Sequence, residues 1–158
     1  MTDPQRETLK LPEGDVSFLE WEGEGPRLLF SHATGFNAET YRTLLQPLSG
    51  EMHIFAMDAR GHGFTSLPTA PDLAKDWIIY RDDLVRFLDG LDGRPMILAG
   101  HSMGATVSLM AALLRPDLVR GLILIEPVFM PGSRFHWLLA KWRMAKRGDP
   151  DLAERAAK

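Results

Sequence analysis

Short apolar runs alternate along this chain with longer segments in which apolar residues recur every three or four positions. The short runs are typical of strands buried in a sheet, and the longer segments are typical of amphipathic helices. The runs occupy residues 27–31, 52–57, 95–99 and 122–125. The helical patterns occupy residues 73–91 and 105–114. A further helix can begin after Asn37, whose side chain can cap its N-terminus. This order predicts an α/β fold with a mostly parallel sheet flanked by helices.

Residues 16–22 come before the first of these apolar runs. Apolar and polar side chains alternate along part of this segment, which predicts a half-exposed strand at the edge of the sheet.

The chain has 158 residues, of which 45% are hydrophobic, and a net charge of -3. A chain of this length can bury a core without metal or disulfide support. It contains no cysteine, which excludes cysteine nucleophiles and fits a reducing compartment.

The first ten residues contain no apolar run, and no later stretch approaches the roughly 20 apolar residues of a membrane span. We therefore expect a cytoplasmic protein without a membrane span.

Basic side chains gather between Arg134 and Lys158. A solvated helix face is favoured over a nucleic-acid site or a helix on a membrane surface, so no nucleic-acid partner is expected.

The pentapeptide Gly100–Gly104 carries the chemistry, because it matches G-x-S-x-G between a predicted strand and a predicted helix. A sharp turn there presents Ser102 as a nucleophile, with a base on one side and substrate on the other. The helix that starts at the serine favours developing negative charge, and the Met103 N–H is one expected oxyanion donor. Glycine is needed at both ends because a Cβ would collide with the adjoining strand or helix.

Two further loops accompany this pentapeptide: Ser-His-Ala-Thr-Gly-Phe at residues 31–36 and Asp-Ala-Arg-Gly-His-Gly at residues 58–63. Together the three segments resemble the N-terminal part of an α/β-hydrolase fold protein, from about residue 16 to residue 131. The resemblance implies a core at residues 1–131 and the start of a helical cap or lid at residues 132–158. It also implies a second oxyanion amide at Thr34, although Ala33 stands where the family usually has glycine.

The resemblance also orders the rest of a catalytic triad, with an acid and then a histidine after the serine. The family places that histidine after the last strand of the sheet, so we expect the base to lie beyond this chain. Within the chain, His136 is the one histidine after Ser102 and a possible base. Glu126 is a possible triad acid or an ordinary glutamate at the sheet edge. The resemblance assigns His32, His62 and His101 to shaping and packing rather than to catalysis.

The implied function is a serine hydrolase that acts on an ester or related acyl bond of a small molecule through an acyl-enzyme at Ser102. Carbon–carbon bond hydrolysis, haloperoxidase or acyltransferase chemistry, and a non-catalytic ligand-binding role, are the alternatives on the same fold. No cofactor is expected, and the scattered histidines favour no metal site. Neither glycine-rich loop completes the dinucleotide-binding pattern. We expect the 158-residue chain alone to be inactive and able to self-associate through an unpaired sheet edge.

Overall fold

A six-stranded sheet forms the centre of the computed structural model, which describes residues 3–69 and 77–128. The strands, in chain order, are β1 (Gln5–Leu11), β2 (Gly14–Trp21), β3 (Arg27–Ser31), β4 (His53–Met57), β5 (Met96–His101) and β6 (Val119–Ile125). Their order across the sheet is β1-β2-β4-β3-β5-β6. The pairs β1–β2 and β2–β4 are antiparallel and the other three are parallel. The predicted α/β fold with a mostly parallel sheet is therefore confirmed.

Helices cover both faces of this sheet. The α-helices are α1 (Arg42–Leu45), α2 (Ile78–Leu91) and α3 (Met103–Leu114), and short 3-10 helices span Ala38–Tyr41, Gln46–Gly50 and Pro116–Leu118. Side chains alternate along β3, so Leu29 joins the core under α2 and α3, whereas Leu28 and Phe30 pack with Ala38 and Leu45 on the other face. This alternation divides the core into two layers.

The strand β1 was not predicted, because its sequence shows no apolar run. Most of its side chains are exposed, and it is held by its backbone ladder to β2. β2 consequently lies between two strands, and the prediction of residues 16–22 as a half-exposed edge strand is wrong. Val16 and Trp21 are fully buried.

The helix expected after Asn37 forms in three pieces. The Asn37 side chain does cap the first piece, a 3-10 helix, by accepting a hydrogen bond from the Thr40 N–H at 3.1 Å. Helix α1 then ends at Leu45 because Pro47 has no N–H to continue the α-helical ladder. The described part of the helix predicted at residues 73–91 begins at Ile78 and ends at Leu91, next to the expected glycine stop.

Strand β6 forms one edge of the described sheet. It was predicted as a buried strand, but Ile123 and Ile125 are 47% and 37% exposed, because β5 is its only partner among the described residues. This edge is where the predicted self-association would occur. No helix in the described ranges is long and apolar enough to cross a membrane.

A buried ion pair fastens the segment after β4 to helix α2. The Arg60 guanidinium donates two hydrogen bonds to the Asp83 carboxylate, at 2.8 and 2.7 Å, and a third to the Pro68 carbonyl at 2.6 Å. Both side chains of the pair are almost completely buried. The bidentate geometry fixes the orientation of both groups, and therefore the position of the loop that carries Arg60.

We predict that Asp83→Ala lowers the free energy of unfolding by about 3 kcal/mol, because it leaves a buried guanidinium without its carboxylate. The matched control is Asp82→Ala, since the Asp82 carboxylate on the same helix is 47% exposed and pairs with Arg81. Its loss should cost less than about 1 kcal/mol. Urea unfolding followed by tryptophan fluorescence measures both values, and equal losses would contradict the assignment.

Candidate active site

Ser102 occupies a strained turn between β5 and α3. Its φ is 52° and its ψ is -114°, which a residue with a side chain rarely adopts. The Ser102 N–H donates a hydrogen bond to the Ile125 carbonyl at 2.9 Å, so the end of β6 supports the turn. The Ser102 Oγ makes no hydrogen bond to any described residue. The turn therefore carries a hydroxyl whose hydrogen-bonding capacity is not used by the described part of the chain.

Two glycines permit this turn by allowing main chains to touch. A Cβ on Gly100 would lie 2.4 Å from the carbonyl carbon of Gly104. A Cβ on Gly104 would lie 2.1 Å from the carbonyl oxygen of Ser31 and 2.6 Å from that of His32. Real Cβ atoms do not approach so closely, so helix α3 can sit against the end of β3 only with glycine at residue 104.

The close approach brings the segment after β3 against the start of α3. This segment, residues 32–36, is called the His32 loop below. Its Thr34 hydroxyl lies 3.3 Å from the Met103 sulfur, so the two residues predicted as oxyanion donors are in contact. The positive φ of the loop falls on Gly35, at 81°, and not on Ala33. Alanine at residue 33 therefore fits the backbone without strain.

The backbone amides of the two contacting residues differ from their neighbours. Within residues 3–69 and 77–128, neither the Thr34 N–H nor the Met103 N–H makes a hydrogen bond. The neighbouring amides differ, since Ala33 donates to the Tyr41 hydroxyl at 3.3 Å and Gly35 donates to His62 at 3.1 Å. The Met103 amide is also the first of α3, where the helix dipole favours negative charge.

Two imidazoles tie the His32 loop to the Asp58 loop, residues 58–63. The Ala59 N–H donates to His32 Nε2 at 2.9 Å, so the proton of this ring is on Nδ1, which donates to the Ala33 carbonyl at 2.7 Å. His62 repeats the arrangement, because its Nε2 accepts from Gly35 and its Nδ1 lies 2.9 Å from the Arg60 carbonyl. Both rings therefore connect the two loops through hydrogen bonds.

Burial lowers the pKa of His32 below its ordinary value of 6.5. The hydrogen bond to the Ala33 carbonyl opposes this effect, and the charge of a protonated His62 would add to it. Protonation would also place a second N–H on the ring, directed at the Ala59 N–H. The folded structure consequently favours the neutral imidazole.

His101 and Glu126 lie next to the turn but contact each other rather than Ser102. His101 Nδ1 is 2.7 Å from the Tyr41 hydroxyl, and its Nε2 is 3.7 Å from the Glu126 carboxylate. The Glu126 side chain is 84% exposed and its backbone is left-handed, with φ of 45°. In the sequence, Tyr41 follows Asn37 at a position that fits the apolar face of a short helix. A tyrosine at a packing position gives no sequence signal of what its hydroxyl contacts.

All four histidines that the structure describes have hydrogen-bond partners away from Ser102. His53 bonds Glu20 at 2.6 Å, and the other three make the contacts given above. His136, the possible base, and residues 132–158, the predicted start of a cap, lie outside the described residues. The structure therefore brings together Ser102, Met103 and Thr34, but it leaves the assignment of the base as a prediction.

We predict that Gly104→Ala destabilises the fold by about 2 kcal/mol, because the added methyl group must displace the main chain at the end of β3. The control is Gly121→Ala on β6, where a Cβ would meet only the Ile97 side chain, at 3.9 Å. That variant should be as stable as the parent or slightly more stable. Thermal unfolding measures both, and an unchanged melting temperature for Gly104→Ala would contradict the close packing.

A second prediction concerns pH. Well above pH 6.5 the His32 ring is neutral in both the folded and the unfolded chain, so this ring does not reduce the stability of the fold. As the pH falls below that value, the unfolded chain binds a proton that the folded chain resists, so stability decreases by at most about 1.4 kcal/mol per pH unit. Urea titrations between pH 7.5 and 5.5 test this in the parent and in His32→Asn. A slope as steep in the variant would assign the pH effect to other groups.

Sequence comparisons place these features in a family. Residues 26–158 match the family described as alpha/beta hydrolase fold. The 2-(acetamidomethylene)succinate hydrolase of Mesorhizobium japonicum is 37% identical over 105 residues, which cover 66% of this chain and 37% of that protein. Human monoglyceride lipase is 30% identical over 148 residues, covering 82% of this chain and 48% of the lipase.

Structural comparison gives the same result. The crystal structure of E-2-(acetamidomethylene)succinate hydrolase superposes with a TM-score of 0.71 at 30% identity, covering 92% of this chain and 52% of that one. The chain thus spans less than half the length of the two curated relatives described here and about half of this structure. With its strand order, its strained serine turn and its match to the family over residues 26–158, the chain belongs to the α/β-hydrolase fold family.

Proposed function

We propose that this chain carries the nucleophile and the oxyanion hole of a serine hydrolase that cleaves an ester or related acyl bond of a small molecule. The observation that carries this proposal is that the Thr34 and Met103 amides make no hydrogen bond to the described residues, while the side chains of the two residues are in contact. Met103 directly follows Ser102 in the chain. Preorganised N–H donors of this kind stabilise the charge that develops in acyl transfer.

In the proposed reaction, Ser102 Oγ attacks the carbonyl carbon of the substrate while a base accepts the hydroxyl proton. The carbonyl oxygen becomes an oxyanion, to which the Thr34 and Met103 amides donate hydrogen bonds. When the carbonyl reforms, the bond to the leaving group breaks and the base returns the proton to that group. Water then attacks the acyl ester on Ser102, releases the acid and restores the hydroxyl.

The amide of Ser102 itself has a different task. It is bonded to the Ile125 carbonyl, so it holds the turn in place and does not compete for the oxyanion. The 12-residue helix α3 begins at the next residue, and its dipole adds to the attraction for negative charge. These groups are fixed before substrate arrives, which avoids the cost of reorganising solvent during the reaction.

We assign the base to a residue outside the described part of the chain. Each described histidine bonds a group other than Ser102, and Glu126 faces His101. His136 and a histidine beyond residue 158 are the candidates. In the second case, the 158-residue chain would retain the oxyanion donors but lack an activated nucleophile, and its rate would be small.

The names of the relatives support hydrolysis without fixing the substrate. A hydrolase of a substituted succinate and a lipase of monoglycerides both match this chain, over 105 and 148 residues respectively. We propose that the acyl group is selected by the later part of the protein, where a cap would cover the site.

The test uses the protein encoded by the longest open reading frame that contains this chain. A fluorophosphonate probe should modify Ser102, and Ser102→Ala should lower kcat for p-nitrophenyl acetate by at least about 10⁴-fold without unfolding the protein. Ser108→Ala is the matched control, because its buried hydroxyl on α3 has no hydrogen-bond partner in the described residues and should be dispensable. Retained hydrolysis in Ser102→Ala would refute the proposal.

A second arm locates the base by assaying the 158-residue chain and its His136→Ala variant. A small residual rate in both would support a base beyond residue 158. Robust turnover that disappears in His136→Ala would instead identify His136 as the base. The absence of both labelling and hydrolysis in the longest protein would favour the non-catalytic, ligand-binding alternative.

A further inference from the structure

Tyr41 connects the residue before the nucleophile with the His32 loop. We propose that Tyr41, oriented by His101, is a positioning residue that holds this loop in the geometry in which the Thr34 amide can serve as an oxyanion donor. This inference rests on the proposed function for its kinetic consequence. The contacts of Tyr41 with Ala33 and His101, from which the inference is argued, do not depend on that function.

The hydroxyl of Tyr41 makes two hydrogen bonds on opposite sides. It accepts from the Ala33 N–H at 3.3 Å, and it lies 2.7 Å from His101 Nδ1. Ala33 is 4% exposed, so water cannot readily replace the tyrosine as the partner of its amide. Thr34 is the next residue, and any shift in the Ala33 peptide moves the Thr34 amide with it.

The geometry also assigns the protons. The Glu126 carboxylate lies on the Nε2 side of His101 and favours a proton on that nitrogen. Nδ1 is then an acceptor, so the Tyr41 O–H donates to it and directs a lone pair at the Ala33 N–H. His101, adjacent to Ser102 in sequence, thus orients a hydroxyl that acts on a loop distant in the chain.

Packing holds the tyrosine ring independently of its hydroxyl. The ring centroid lies 4.6 Å from that of Phe30 and 6.2 Å from that of Phe36. The 3-10 helix that ends at Tyr41 begins at Ala38, whose N–H donates to the buried Asp58 carboxylate at 2.8 Å. Removing the hydroxyl alone therefore separates its positioning role from the packing of the ring.

The experiment compares Tyr41→Phe, His101→Ala and His101→Asn with the parent protein. Tyr41→Phe should increase amide hydrogen exchange in a peptide covering residues 32–36 at least about 10-fold, because the Ala33 amide loses its acceptor. In the longest encoded protein, it should lower kcat for p-nitrophenyl acetate by about 10-fold with KM nearly unchanged, since the oxyanion forms only after binding. Rates are expressed per serine titrated with fluorophosphonate.

The two histidine variants test the orientation of the hydroxyl. His101→Ala should reproduce the kcat loss of Tyr41→Phe. His101→Asn should recover part of kcat, because its amide oxygen can take the place of Nδ1 as the acceptor. Tyr80→Phe is the control, because the Tyr80 hydroxyl makes no hydrogen bond in the described residues, and it should alter neither exchange at residues 32–36 nor kcat.

A kcat per titrated serine in Tyr41→Phe equal to that of the parent would overturn the positioning role, even if the variant were less stable. Equal losses in His101→Ala and His101→Asn would overturn the part assigned to His101. If the parent neither labels nor turns over, the proposed function fails. Exchange at residues 32–36 then still decides whether the Tyr41 hydroxyl holds the loop.

Discussion

The main-chain contact at Gly104 is the constraint on which the site depends. A Cβ built on Gly104 would lie only 2.1 Å from the carbonyl oxygen of Ser31. This contact presses the first turn of α3 against the end of β3. The turn at Ser102 and the His32 loop are thereby fixed relative to each other by backbone contacts, and backbone positions vary less than those of side chains.

Side chains complete the arrangement by joining loops to one another. In His32 and His62, one ring nitrogen bonds the His32 loop and the other bonds the Asp58 loop. The Tyr41 hydroxyl likewise joins Ala33 to His101. Two amides of the His32 loop, those of Ala33 and Gly35, donate to these bridges. The Thr34 amide between them makes no hydrogen bond to a described residue.

The sequence predicted the alternating strands and helices and the turn at Ser102, because periodicity and glycine spacing report local geometry. The choice of Thr34 came instead from the family resemblance. It did not predict β1, whose stability comes from a ladder to β2 and not from burial of its own side chains. The exposure of Ile123 and Ile125 depends on what lies beside β6, which periodicity cannot report. The role of Tyr41 also required the fold, since its partners Ala33 and His101 are brought together only by the sheet.

The hydrogen bond from Ser102 to Ile125 has a consequence for the order of events during synthesis. A ribosome releases the chain from its N-terminus, so β5 and the serine emerge before β6. Until Ile125 is available, the Ser102 N–H lacks the acceptor that supports its left-handed conformation. The nascent chain therefore lacks this support for the turn at Ser102 until β6 has joined the sheet, so the turn is completed only after residue 125 has left the ribosome.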